Sequence, residues 1–301
     1  MNYLDIAEAR EEYRRGNNIT RYLRRKFEES ENTSGIIEIA YDLQSGSYID
    51  AVKADMNQAL TYASELSDIL NKHLTNGESL MDVGAGEITT LTLVLNKLEV
   101  ELGKTLAFDI SWSRLYRGIE FHRENNENDG VAVEAFVADM KTIPLHSKCI
   151  DVVTSSHALE PNGNNLGQLL SELFRVTKKK LVLFEPSYEL NSLEGKQRMD
   201  SLGYIKNLEG EVEQLGGNVV EVIPIQSTVN PLNPTACYVI EPPLDNADSV
   251  DLPAYCVPGT NYMLERDDTF LTSRDTGLVF PILEEIPILR ANSAILATAK
   301  F

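Results

Sequence analysis

The stretch Leu80-Met81-Asp82-Val83-Gly84-Ala85-Gly86-Glu87-Ile88-Thr89 decides how this chain is read. A short apolar run, beginning at Ser79, ends in an acid and then in two glycines one residue apart. The run predicts a buried strand, and residues 88–101 predict a helix. Between them, Gly84 and Gly86 let the backbone turn sharply and come close to a ligand. The helix start that follows offers unpaired N–H groups. Asp82 stands at the strand end, at the mouth of such a fold.

The alternation continues outward. KTLAFDIS (104–111), VAVEAFVADM (131–140), CIDVVTSSH (149–157) and KLVLFEP (180–186) predict further strands. Residues 112–126 and 165–177 predict the intervening helices, the second from its Leu169, Leu170, Leu173, Phe174, Val176 stripe. Strands alternating with helices imply a parallel sheet covered on both faces, and nearly continuous apolar strands fit that burial. Residues 192–215 predict one or two more helices, 219–225 another strand, and Asn230-Pro231-Leu232-Asn233-Pro234-Thr235 a turn-rich boundary.

The flanks differ from this core. Residues 3–30 predict charged helix interrupted at Gly16-Asn17-Asn18. Residues 50–73 predict one amphipathic helix through Val52, Met56, Leu60, Ala63, Leu66 and Leu70. Residues 237–301 carry ten acidic and four basic residues with short β-like pieces. Three parts follow: a helical extension (1–75), an α/β domain (76–233) and a small β-rich unit (234–301).

Composition narrows the function. The 301 residues are 43% apolar, with 27 Lys plus Arg against 46 Asp plus Glu and a net charge of −19. That balance opposes a broad nucleic-acid or anionic-lipid surface and favours small molecules or one local partner. The three cysteines, Cys149, Cys237 and Cys256, form no CxxC pair, so neither a disulfide framework nor a complete zinc ribbon can be written. No apolar run approaches the roughly 18 residues of a membrane span. The N-terminus carries alternating charge instead of an apolar signal core, and a cytoplasmic location is expected.

Asp109, ending the second strand, has the acceptor pair that two ribose hydroxyls require, and it equally suits a helix cap. Dinucleotide enzymes and methyltransferases share this placement. The dinucleotide spacing G-x-G-x-x-G needs a glycine where Thr89 stands. The deciding segment is 137–160, VADMKTIPLHSKCIDVVTSSHALE, with Asp139 after the third strand and Ile150-Asp151 opening the fourth. Together with Asp82, Gly84, Gly86 and Asp109, it resembles the class I S-adenosylmethionine-dependent methyltransferases. Leu169 through Pro186 continues the resemblance. Lys178-Lys179-Lys180 replaces the usual Pro-Gly-Gly, and Glu87 is read as replacing a glycine of the first motif.

The resemblance implies a doubly wound, mostly parallel seven-stranded Rossmann-like sheet binding S-adenosylmethionine. Asp82, Gly84 and Gly86 would hold the methionine end, Asp109 with Ile110 the ribose, and Asp139 with Met140 the adenine. Ser155, Ser156 and His157 would lie below the sulfonium. The N-terminal part would act as a lid, with Tyr48 on the cofactor and Gln44 on the substrate. His157, whose ordinary pKa is near 6.5, is the expected general base, with Glu160 beside it. Glu185 and Tyr188 are expected at the substrate. Plainer roles compete at each: packing for His157 and Tyr188, a solvated acid for Glu160, a structural hydrogen bond for Glu185, and an interhelical connection for Gln44 and Tyr48. The leaving group is already cationic, so no metal is expected.

The C-terminal unit is similar to the zinc-ribbon-type domain of methyltransferase activator proteins in its Gly277-Leu278-Val279-Phe280-Pro281-Ile282 and Ile286-Pro287-Ile288-Leu289 runs. Cys256 stands alone where a pair is usual, so a metal-free version is expected. It would pack on the core, cover the site or mediate a homodimer. The reading is methyl transfer to an oxygen or nitrogen of a small molecule, such as a sugar, nucleotide-sugar or secondary metabolite. Neither nucleic acid nor membrane is an expected partner. The alternatives are a NAD-dependent oxidoreductase and a non-catalytic S-adenosylmethionine-binding scaffold.

Overall fold

The computed structural model describes residues 5–30, 32–127, 131–244 and 254–300. Among them, helices α1 (Ile6–Arg14), α2 (Ile19–Lys26), α3 (Ser34–Leu43), α4 (Ser47–Ala54) and α5 (Met56–His73) precede the first strand. The break between α1 and α2 falls where expected: Gly16 is left-handed, and the Asn18 side chain caps Arg21 N at 2.9 Å. The helix expected over 50–73 is two helices. Asp55 leaves helical geometry (φ −142°, ψ 73°), and its carboxylate caps α5 at Gln58 N, 3.0 Å. Helix α3 was not anticipated. It buries Ile36, Ile39 and Ala40 against Ala9, Ile19 and Leu23 of the first two helices.

The core then runs β1 (Ser79–Val83), α6 (Thr89–Leu95), β2 (Lys104–Asp109), α7 (Trp112–Asn125), β3 (Val133–Val137), β4 (Ile150–Ser156), α8 (Leu166–Val176), β5 (Thr177–Pro186), α9 (Leu193–Leu202), α10 (Leu208–Gln214), β6 (Asn218–Pro224) and β7 (Thr235–Glu241). These strands form one sheet in the order β3-β2-β1-β4-β5-β7-β6. The pairings among β1 to β5 are parallel, and β7 runs antiparallel to both β5 and β6. Strand order reverses between β1 and β4, which opens a crevice at their carboxyl ends. At the opposite ends, Asp151 accepts from Ser79 N (3.0 Å) and Oγ (2.9 Å) and pairs with Lys179 Nζ (2.9 Å). Two sequence signals of the fourth and fifth strands therefore serve the sheet and lie away from the crevice.

The boundary expected at residue 233 is corrected by β7. Thr235–Glu241 is inserted between β5 and β6, in register from Leu181↔Ile240 to Pro186↔Thr235. The Pro- and Asn-rich turn before it is a hairpin connection inside the α/β domain.

Beyond it, β8 (Glu265–Arg266), β9 (Phe270–Ser273), β10 (Leu278–Leu283), β11 (Ile286–Pro287) and β12 (Ile295–Leu296) form a small antiparallel sheet. This tail shares its core with the main domain: Val257, Leu264, Leu271 and Phe280 belong to the cluster that holds Phe108 and Phe136. Tyr255 meets Phe136 edge-on at 5.3 Å. Ile288 pairs with Val137, and Leu289 N donates to Val137 O at 2.8 Å. The tail thus covers the outer edge of β3, an edge that would otherwise present unpaired backbone groups. Buried Arg290 pairs with Glu38 of α3, and Trp112 Nε1 donates to Leu283 O at 3.3 Å. Cys256 faces Met263 Sδ at 3.7 Å, and burial pushes its thiol up to about 11. Among the described residues, no helix is long and apolar enough to cross a membrane.

Candidate active site

The crevice between the carboxyl ends of β1, β2 and β4 is a cavity of about 1010 Å³, counted with its opening to solvent. Strand ends supply Asp82 and Asp109 to its wall, and Asp139 follows β3. Helices α3 and α4 roof it with Ile37, Tyr41 and Tyr48. Among the described residues, none from the tail lines it.

The donor half follows from backbone geometry. Gly84 (φ +64°) passes so close to the loop after β4 that a Cβ would stand 2.5 Å from that of Ala158. A Cβ on Gly86 (φ +54°) would stand 2.5 Å from a guanidinium nitrogen of Arg114. Asp109 fixes this turn: Oδ2 accepts from Gly86 N (3.0 Å) and Oδ1 from Ser111 N (2.9 Å). Each oxygen keeps a further lone pair for a ligand hydroxyl. Asp139 Oδ1 accepts from Lys141 N at 2.9 Å, and Ile110 and Met140 line the same wall.

Asp82 is 6% exposed. Burial, reinforced by the charges of Asp109 and Glu185, pushes its pKa up to about 8. An acid held this way is short of a cation, and an ammonium or sulfonium entering the cavity supplies one. The donor's chemistry therefore fits the residues present.

The expectation for Glu87 is corrected. After Gly84 and Gly86, the third left-handed position of the turn is Ile88 (φ +54°), a conformation costly for a β-branched residue. Glu87 has a different task. Its buried carboxylate accepts from Gly46 N and Ile49 N, both at 2.9 Å, and so caps the start of α4 from below. The motif loop thereby holds the roof.

The acceptor half is less as expected. His157 lines the cavity with a left-handed backbone (φ +57°). Its Nδ1 lies 3.2 Å from Glu160 Oε2 and its Nε2 3.0 Å from Thr235 Oγ1. Burial disfavours the imidazolium, but the bond and charge of Glu160 and the charge of Glu185 outweigh it, so the pKa stands above the ordinary value. Glu160 sits behind the ring, also accepting from Asn233 Nδ2 (3.3 Å), and is not part of the cavity wall.

Four expected contacts are corrected. Ser155 is fully buried and donates to Glu185 Oε1 at 2.7 Å. Glu185 is fully buried too: Oε1 also accepts Ala158 N (3.0 Å) and Leu159 N (3.1 Å), while Oε2 has no partner. Burial pushes its pKa up to about 7. It braces the loop after β4, because β5 ends directly beneath that loop. Tyr188 points outward, its hydroxyl 3.3 Å from Asp200 and its ring near Lys196 and Lys206. Gln44 is the C-cap of α3 and does not line the cavity.

Sequence reasoning missed Ile37 and Tyr41 because it missed α3, although Thr33 ahead of an apolar run was a readable cap signal. It missed Arg114 because nothing in Trp112-Ser113-Arg114-Leu115-Tyr116-Arg117 separates the buried arginine from the exposed one.

Comparison with known proteins agrees with this geometry. Residues 81–184 match the family described as Methyltransferase domain. A putative methyltransferase from Bacillus halodurans C-125 is similar in structure: 17% identity over 60% of this chain and 99% of that one, TM-score 0.48. A structure titled as the complex between the Haloferax volcanii Trm112 methyltransferase activator and the putative methyltransferase matches at 15% identity, covering 67% of this chain and 97% of that one, TM-score 0.50. A methyltransferase from Methanosarcina mazei matches at 16% over 59% and 98%, TM-score 0.48. At such identities the likeness is one of fold. No curated protein matches in sequence. Residues 81–184 thus carry a methyltransferase domain, and the acids and glycines around its cavity fit S-adenosylmethionine as the methyl donor.

Proposed function

We propose that this chain moves the donor's methyl group to an oxygen or nitrogen of a small molecule. The observation that carries this reading is the roofed cavity, closed by α3 and α4 over the strand ends, with His157 in its wall. A roof tied down at Glu87 leaves space for a metabolite-sized acceptor and little for a polymer. The net charge of −19 supports the same choice against nucleic acid.

When bound, S-adenosylmethionine supplies an electrophilic methyl on a sulfonium. The protein's tasks are to align the acceptor, exclude water and take the acceptor's proton. Asp82 and Asp109 anchor the donor's amino and ribose groups. His157 takes the proton at Nε2 once its contact with Thr235 opens, and Glu160 at Nδ1 stabilises the imidazolium. Ile37 and Tyr41 close the roof.

The test is to incubate the protein with donor labelled in its methyl group and a cell extract split by size. Label in the low-mass fraction is the expected result. Label confined to protein or nucleic acid overturns the small-molecule reading.

A further inference from the structure

Arg114 projects from the first turn of α7 into the donor half of the cavity. Its side chain is 7% exposed, and its Nε is buried without a hydrogen-bond partner. Glu87 Oε1 stands 3.7 Å from that nitrogen, too far for a hydrogen bond. Each oxygen of Glu87 accepts one backbone amide, Gly46 N or Ile49 N, so the carboxylate is turned toward α4. Tyr41 and Tyr48 lay their rings 5.2 and 4.6 Å from the guanidinium carbon. Such contacts hold the plane of the group but carry no countercharge.

The ion pair with Glu87 balances the charge but leaves Nε without a hydrogen bond, and a guanidinium fork matches the two oxygens of a carboxylate or phosphate. The fork also lies against Gly86, where a Cβ would collide with it. That places it beside the turn expected to hold the donor's methionine end. We propose that Arg114, framed by Tyr41 and Tyr48, is the oxyanion site of this cavity. The proposal rests on the methyl-donor reading. The oxyanion has two sources, the donor's own α-carboxylate or a carboxylate or phosphate on the acceptor, and the site sorts its ligands by that group.

The experiment titrates full-length wild type, Arg114→Met and Arg114→Lys calorimetrically with two nucleosides. S-adenosylhomocysteine has the amino-acid end, and 5′-methylthioadenosine lacks it. If the source is the donor, Arg114→Met weakens S-adenosylhomocysteine by about tenfold or more. Arg114→Lys then falls between, and 5′-methylthioadenosine stays within about twofold for all three proteins. If the source is the acceptor, both nucleosides bind all three alike. Inorganic phosphate or acetate then raises the Tm of the wild type saturated with S-adenosylhomocysteine, but not that of Arg114→Met.

Equal losses for both nucleosides overturn the proposal, since they mean that Arg114 only supports the turn. Unchanged binding together with an equal oxyanion effect on both proteins also overturns it. A wild type that binds neither nucleoside strikes the donor reading itself, which separates the two failures.

Discussion

On the donor side of the cavity, Asp82, Gly84, Gly86, Asp109, Ile110, Asp139 and Met140 all reach the wall from the ends of β1 and β2 or from the turns that follow β1, β2 and β3. On the acceptor side, Ser156 and His157 reach it among the residues expected there, and the His157 ring is set by Glu160, Asn233 and Thr235. One side is made by backbone that turns under local rules. The other is made by side chains that converge from β4, β7 and the loops beside them. His157 and Thr235 are 78 residues apart in sequence. The first arrangement tolerates change in its surroundings, and the second depends on them.

The comparison breaks most readily at Asp109. Asp109→Ala strands two buried N–H groups and removes the ribose acceptor. Affinity for S-adenosylhomocysteine is expected to fall about 100-fold, and denaturant unfolding to show a loss of about 2 kcal/mol. Wild-type affinity in this variant would remove the donor half as drawn.

Asp82→Asn acts in opposite directions on ligand and fold. The folded pKa is raised, to about 8, above roughly 3.9 in the unfolded chain. Folding therefore holds the proton, so stability is full below about pH 4 and declines as the pH rises to about 8. Glu185, raised to about 7, adds to the same decline. The ligand-free variant is expected to gain on the order of a few kcal/mol at pH 8 and to keep only the shallower decline due to Glu185, while S-adenosylhomocysteine affinity falls. Melts across pH 5 to about 8.5 measure this, and an unchanged slope contradicts it.

Glu87→Ala tests the tie between the halves and the roof. Amide exchange at Gly46 and Ile49 is expected to quicken about tenfold, with the β1–β5 amides unchanged. Uniform exchange rates across the variant would mean that the roof is held elsewhere.

The smallest effect belongs to Glu160→Gln. It removes the partner that raises His157, so the imidazole titration followed by NMR is expected to move to lower pH. The linked stability is present below about pH 6.5 and lost as the pH rises through the raised folded value. In the variant that contribution shrinks. A titration that stays put would mean that Glu185, not Glu160, sets the imidazole.

These contrasts also explain what the sequence could show. Strand periodicity and the Gly84 and Gly86 turn are local, so β1 to β6 and the donor half were legible. The Asp55 break and α3 were not, because a short helix with Thr33 ahead competes with an equally good loop reading. The placement of β7 was hidden by a Pro- and Asn-rich turn that marks hairpins as readily as domain ends. Glu185 sits at a strand end like Asp109, but burial beneath the β4 loop makes it a brace, and burial depends on neighbours from elsewhere in the chain.

Helix α4 buries no residue of its own, and its first turn is capped by a carboxylate that arrives 41 residues later, at Glu87. In folding order, then, the ceiling of the cavity waits for its floor. The glycine turn must close before α4 has a partner for its first amides. The same dependence runs in reverse in the folded protein: a movement of the turn that draws Glu87 away uncaps the start of α4, while α3 stays tied through Asp42 to Ser111.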